Sequence, residues 1–175
     1  MTGSQERCFD ELPHMTVPRL DTAEQFVVGV FRCWDALQAD PDPGLAWREL
    51  APVFAYMGAL RALCAVDAAF HLVRKYRLPA LKFDEVDSPR LGLTEARFLY
   101  ALSSLQRGNA RAARAALAGL LSHCGIRALL TPLARIAAIL DGNGHRLPPW
   151  RDALLRDCHT ARRRRHSWRG IQLVK

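Results

Sequence analysis

The stretch PVFAYMGALRALCAVDAAFHLV, residues 52–73, is the most continuously apolar run in the chain. Its 22 residues, at about 1.5 Å each, would form a helix about 33 Å long, which is enough to cross a small domain. Pro52 is compatible with the first turn of such a helix, and Leu78-Pro79 would end it. We therefore predict a buried central helix over about 52–75, around which the other helices pack.

This apolar run is not predicted to span a membrane, although its length would permit it. Arg61 and Asp67 lie near its middle, and each would cost about 2.5–3.5 kcal/mol at the centre of a bilayer. The first residues, MTGSQERCFDELPH, lack the apolar core and the cleavage site of a signal peptide. We expect no membrane span and a cytoplasmic location.

The remaining pattern predicts an all-α fold, a single-domain bundle of five to seven helices. Asp21 and Glu24 form a capping-box pattern in front of an amphipathic helix over about 22–39. The best-defined unit is an antiparallel helical hairpin at 94–123, in which Gly108 ends the first helix and Asn109 caps the second. Further helices are predicted at 45–50, at 133–140 and from 150 to about 163.

These elements divide the chain into three parts. They are an irregular N-terminal arm at 1–20, a helical domain at 21–163, and a basic, flexible C-terminal tail at 164–175. Within the domain, residues 79–92 form an irregular crossover without a helical pattern. Connections of this length are uncommon unless they have a function, so the crossover is one place to look for a site. Its DEVD carboxylates, at 84–87, lack a partner at metal-ligand spacing, which favours a solvated loop.

The net charge of +8 is unevenly distributed. Residues 1–88 hold 9 Lys or Arg against 13 Asp or Glu, whereas residues 89–175 hold 16 against 4, so the halves carry −4 and +12. Such asymmetry is compatible with nucleic-acid binding through the C-terminal half. A compositional bias is the alternative, because the chain has 22 Arg, only 3 Lys, and much Ala.

Three polar residues of the apolar run are candidates for a special role, namely Arg61, Asp67 and His71. Asp67 and His71 are four residues apart, so on a helix they would share one face. A carboxylate that orients a histidine is half of a general-base pair, but no nucleophile motif accompanies it. We favour a buried polar pair of Asp67 and His71 that satisfies itself inside the bundle. Arg61 would lie on the opposite face and pair with Glu24 or Asp35 of helix 22–39. An enzyme centred on Asp67 and His71 is the less favoured alternative.

No catalytic motif, metal site or cofactor site is predicted. The five cysteines are scattered and include no CxxC pair, so most are expected to be small, reduced, buried residues. His123-Cys124 and Cys158-His159 would supply four zinc ligands only if their helices met. Adjacent residues on a helix point about 100° apart, which makes such a site improbable on geometry.

The most suggestive polar feature is a basic run near the C-terminus. Its candidate residues for binding nucleic acid or another anionic partner are Arg162, Arg163, Arg164, Arg165, Trp168 and Arg169. Guanidinium groups neutralise phosphates, and an interleaved Trp can stack on a base. An anionic membrane, an acidic partner, or a simple solvated tail would suit the same composition.

The sequence as a whole favours a non-enzymatic, helical protein that acts as a protein-interaction or regulatory module. The alternative is a nucleic-acid-associated regulator that uses the basic C-terminal half. Neither the partner nor the oligomeric state follows from the residues.

Overall fold

The computed structural model describes residues 15–37, 42 and 44–149, and this part of the chain is all-helical. Its six α-helices are α1 (Thr22–Leu37), α2 (Leu45–Tyr56), α3 (Leu63–Tyr76), α4 (Leu93–Gln106), α5 (Ala110–Leu117) and α6 (His123–Gly142). Two 3-10 turns, Val17–Arg19 and Leu60–Ala62, precede α1 and α3. The predicted all-α bundle of five to seven helices is confirmed. The predicted helix after residue 150 and the tail at 164–175 lie outside the described residues.

The apolar run at 52–75 forms parts of two helices and not the single helix predicted for it. Gly58 has φ +63°, a left-handed conformation that costs glycine little. The amide of Gly58 donates to Ala55 O (3.0 Å) and the amide of Ala59 donates to Phe54 O (2.8 Å). This is a Schellman motif, the usual glycine-based end of a helix. It ends α2, and the chain turns before α3 begins.

The centre of the bundle is α4 and not the 52–75 segment. Every residue of α4 from Thr94 to Ser104 is buried. The helix packs against α1, α5 and α6, and α6 also packs against α3. A helix that is covered on all sides needs a sequence that is apolar or small all round, and YALSS at 100–104 provides one.

An aromatic cluster joins the first half of the bundle to the crossover. The ring of Phe31 in α1 makes edge-on contacts with Phe98 of α4 (5.1 Å between centroids), Phe70 of α3 (5.5 Å) and Phe83 of the crossover (6.0 Å). Trp34 stacks on Phe70 at 5.6 Å. Edge-on aromatic pairs add about 0.5–1.5 kcal/mol each to the effect of area burial. The crossover is therefore fixed to the core by the half-buried ring of Phe83.

The structure contains the helix caps that the sequence predicts. Asp21 Oδ1 accepts from the amide of Glu24 (2.8 Å) and Glu24 Oε2 accepts from the amide of Asp21 (2.9 Å), so the predicted capping box is confirmed. In the hairpin, Gly108 has φ +71° and Asn109 Oδ1 accepts from the amide of Ala112 (3.0 Å). The helical hairpin is confirmed as α4 and α5.

The second helix of the hairpin is shorter than predicted, because α5 ends at Leu117 and not near 123. The connection at 118–122 pairs with the end of α3 instead. Leu78 donates its amide to Leu120 O (2.9 Å), and Ser122 donates its amide to Tyr76 O (3.1 Å). These two hydrogen bonds join the end of α3 to the start of α6.

Helix α6 is longer than the helix predicted at 133–140. Ser122 Oγ caps the helix by accepting from the amide of Gly125 (3.2 Å), and Pro132 lies inside it. The predicted helix at 133–140 is its second half. Among the described residues α6 is also the one helix with the length and composition to cross a membrane. Its most apolar 18-residue window has a mean hydropathy of 1.3, and 39% of that window is buried. Buried core helices have the same properties, so this is weak evidence for a span.

Helices α3 and α6 are antiparallel. A Cβ placed on Gly125, in the first turn of α6, would lie 2.4 Å from Tyr76 Cβ at the end of α3. At the opposite end, a Cβ on Gly58 would lie 3.8 Å from the side chain of Asn143. The His145 ring is also 2.8 Å from Met57 O there. The end of α3 therefore lies beside the beginning of α6.

Candidate functional site

The most connected polar cluster is a buried ion pair between Arg32 of α1 and Glu95 of α4. Arg32 Nε lies 2.7 Å from Glu95 Oε1, and Arg32 Nη2 lies 2.8 Å from Glu95 Oε2. Their side chains are 2% and 0% exposed. Hydrogen bonding to Glu95 raises the pKa of Arg32, so the guanidinium stays charged. A two-point contact of this kind fixes the geometry of both helices.

Glu95 uses its remaining capacity on the crossover backbone. Glu95 Oε1 accepts from the amide of Asp84 (3.1 Å), and Oε2 accepts from the amide of Gly92 (2.7 Å). Four donors therefore surround one carboxylate. A carboxylate that is saturated in this way holds structure and is not available as a catalytic base.

Arg32 binds the crossover as well. Its Nη1 donates to Ser88 O (2.6 Å) and its Nη2 donates to Arg90 O. The arm before α1 pairs with the same segment, because Val17 donates its amide to Pro89 O (2.9 Å). The crossover at 79–92, which was singled out as a place to look for function, is thus an anchored structural element.

The DEVD carboxylates of the crossover differ from one another. Glu85 and Asp87 are exposed, and Asp84 is half-buried at 4.0 Å from Arg32 Nη2. Burial raises the pKa of Asp84, the nearby Glu95 adds to the increase, and Arg32 opposes it. Asp84 therefore belongs to the edge of the ion pair.

None of the three predicted buried polar residues is buried, so that prediction is wrong. Arg61 is exposed, and the side chains of Asp67 and His71 are 31% and 70% exposed. The break at Gly58 starts a new helix whose inner side is formed by Leu63, Val66, Phe70 and Val73. Asp67 and His71 share the outer side, as their spacing predicted, with His71 Nδ1 3.7 Å from Asp67 Oδ1.

This surface pair is a poor candidate for catalysis. The distance exceeds that of a hydrogen bond, and solvent reaches both groups. His71 lines an open depression of about 390 Å³ together with Arg74 and Lys75. In the described ranges, no three His, Cys, Asp or Glu side chains are grouped so as to hold a metal ion.

The cysteines are less buried than expected. Within the described ranges Cys33 is half-buried, whereas Cys64 and Cys124 are exposed. Burial is the main cause that raises the pKa of the Cys33 thiol. Cys64 is in the first turn of α3 and Cys124 is in the first turn of α6. These helices are antiparallel, so the two exposed thiols lie at opposite ends of the helix pair. His123-Cys124 has its proposed zinc partners, Cys158-His159, outside the described residues.

The predicted anionic-partner residues Arg162, Arg163, Arg164, Arg165, Trp168 and Arg169 also lie outside the described residues. Their assignment stays a prediction.

An apolar surface at the turn between α2 and α3 was not predicted, because the segment was assigned to the core. Tyr56 is 89% exposed, Leu60 is 50% exposed and Val53 is 44% exposed. Val53 and Tyr56 are three residues apart at the end of α2, and Leu60 follows the Gly58 turn. We call these three residues the apolar patch. Gly58 was the signal in the sequence that could have revealed this patch, since a glycine of this kind can end a helix and place a turn there.

The chain matches no protein-family model, and comparisons with curated proteins and with solved structures found no significant match. The function therefore has to be inferred from these surfaces alone.

Proposed function

We propose that this protein is a non-enzymatic interaction module that binds a protein partner through the apolar patch. The observation that carries the proposal is the exposure of Tyr56, which presents 89% of its surface to solvent between two other exposed apolar residues. Single exposed apolar residues are common on protein surfaces, whereas a contiguous group is typical of interaction sites.

The composition of the patch supports a protein partner. Tyrosine is enriched at the energetic centres of protein interfaces, because its ring supplies a large contact area and its hydroxyl supplies a hydrogen bond. Val53 and Leu60 would be the apolar surround of Tyr56. Burial of a large apolar side chain contributes about 1.5–3 kcal/mol, so covering this surface would favour binding of a partner.

The patch stands on rigid structure. The Schellman hydrogen bonds at Gly58 fix the turn, and Phe54 and Met57, on the inner side of the same segment, are buried. The His145 ring contacts Met57 O from the end of α6. A preorganised surface loses little conformational entropy on binding, which supports recognition by this segment.

The test uses a pair of variants with matched chemistry. Tyr56→Glu places a charge in the patch, and Val86→Glu places one at another exposed apolar position, which is 46% exposed in the crossover. Each variant is used for affinity purification from the native cell. The candidate partners are the proteins that are recovered with the wild type and with Val86→Glu but are lost with Tyr56→Glu. Each candidate is then purified and titrated against the chain by calorimetry.

We expect Tyr56→Ala to weaken the purified complex about 30-fold, the effect of a residue at the centre of an interface. An unchanged Kd for Tyr56→Ala, or an equal loss with Val86→Glu, would contradict the proposal. Circular dichroism of each variant shows whether the fold is retained.

A further inference from the structure

Two spans of the chain carry basic residues but no acidic residues. No Asp or Glu occurs at 68–83 or at 96–140, although these spans contain Lys75, Arg77, Arg114 and Arg127 among their cations. A bias toward arginine-rich composition explains the choice of Arg over Lys. It does not explain why acidic residues are confined to other parts of the chain.

The fold brings these two acid-free spans together. The backbone of Tyr76–Leu78 pairs with that of Leu120–Ser122, and Gly125 packs directly on Tyr76. The end of α3, the end of α5 and the beginning of α6 therefore meet at one end of the bundle. Buried Arg97 of α4 donates to Ala118 O (3.0 Å), which fixes the connection at 118–122 and adds a further positive charge.

Four exposed cations surround this junction, and we call them the basic end. Lys75 is in the last turn of α3 and Arg77 follows it, Arg114 is in the last turn of α5, and Arg127 is in the second turn of α6. Within the described ranges neither Arg114 nor Arg127 forms an ion pair. Asp35 of α1 is the carboxylate that faces Arg77.

We infer that the basic end binds the phosphate backbone of nucleic acid. Its cations come from three separate helices and do not converge on one pocket, which suits an extended polyanion better than a single small anion. Two open depressions, of about 390 Å³ at His71, Arg74 and Lys75 and of about 370 Å³ at Cys124, Arg127 and Ala128, are also lined by cations.

A membrane surface fits these residues less well. Peripheral membrane binding usually combines cations with exposed apolar side chains that enter the lipid. Among the large exposed hydrophobic residues of the described part, Leu78 is the one beside this junction, and it is 37% exposed. The apolar patch, which contains three others, is at the opposite end of α3.

The test is the binding of a fluorescein-labelled 30-base-pair DNA duplex, and of single-stranded RNA of the same length, measured by anisotropy between 50 and 200 mM KCl. Contacts with about four phosphates give a slope of about −3.6 for log K against log salt, or about a 150-fold loss of duplex affinity over this range. Arg114→Glu with Arg127→Glu should reduce the magnitude of the slope by about 2, in addition to lowering the affinity.

The matched control is Arg19→Glu with Arg61→Glu, which makes the same change in net charge at two exposed positions away from the junction. It should leave the slope close to that of the wild type. An equal loss in both variants would overturn the inference, because only net charge would then matter.

A separate variant, Arg162→Ala through Arg165→Ala, distinguishes the tail from the basic end. If that variant abolishes binding and the Arg114/Arg127 variant does not, the basic end is not the site. No binding of either nucleic acid at 50 mM KCl overturns the inference, as does equal or tighter binding to phosphatidylserine vesicles or to polyglutamate.

Discussion

Arginine has two contrasting environments in this molecule. Arg32 is 2% exposed and is held by Glu95 and by two carbonyl groups of the crossover. Arg114 and Arg127 are exposed, and the described part of the chain provides no carboxylate for either. The contrast separates arginines that the fold requires from arginines that it does not. For the second kind, a binding partner is the physical explanation proposed above.

Removal of the buried arginine should have the largest effect on stability. Arg32→Ala leaves Glu95 buried beside two backbone donors and without its counter-ion, and we expect it to lower the free energy of unfolding by about 3–5 kcal/mol. The measurement is denaturant unfolding followed by circular dichroism. Arg111→Ala, at an exposed position of α5, is the matched control and should change stability by less than about 0.5 kcal/mol. Similar losses for both would remove the distinction between the two environments.

A smaller effect is expected at the contact that brings the cations of α3 and α6 together. Gly125→Ala places a Cβ 2.4 Å from Tyr76 Cβ, and we expect a loss of about 1–3 kcal/mol as the two helices separate. Gly29→Ala is the control, because nothing lies within 4 Å of a Cβ there and alanine favours a helix by up to about 1 kcal/mol. A Gly125→Ala protein as stable as the wild type would show that α3 and α6 can adjust at no cost.

The smallest effect concerns Asp35, the carboxylate that faces the basic end. Burial raises its pKa above the usual 3.8, and Arg77 only partly opposes the increase. A carboxyl group whose folded pKa is raised binds its proton more tightly in the folded state, so its charge destabilises the protein at neutral pH. Asp35→Asn should therefore raise the Tm at pH 7.

The raised pKa of Asp35 also determines how the effect of Asp35→Asn on the Tm depends on pH. The advantage of Asp35→Asn should shrink as pH falls through the folded pKa of Asp35 toward 3.8, where the wild-type carboxyl becomes neutral. Thermal melts of both proteins between pH 7 and pH 4 measure this. A difference in Tm that is constant across that range would show that the charge of Asp35 is not the cause.

The sequence predicted what depends on short-range chemistry. The capping pair Asp21 and Glu24, the cap at Asn109 and the left-handed Gly108 were all identified correctly, since each signal is complete within a few residues. Gly58 forms the same kind of helix end as Gly108. It was missed because the surrounding apolar run was assigned to one helix.

Long-range contacts could not be predicted in this way. Arg32 and Glu95 are 63 residues apart, and no local pattern links them. The helix predicted at 133–140 begins earlier, at His123, because α6 continues through Pro132. Burial of Asp67 and His71 was inferred from apolar neighbours, whereas the periodicity of α3 places them outside. The apolar patch was missed for the same reason, because exposure depends on where a helix ends.

The anchoring of the crossover has a consequence for local unfolding. Lys82 and Arg90 are exposed tryptic sites, but the amide of Lys82 donates to Thr94 Oγ1 (3.3 Å) and Arg90 O accepts from Arg32. A protease needs an extended, released chain, and release here breaks the hydrogen bonds that hold the crossover to α1 and to α4. Native-state cleavage at these two sites would therefore follow the detachment of the crossover from α1 and α4, which makes an irregular loop a reporter of local opening beside the buried ion pair.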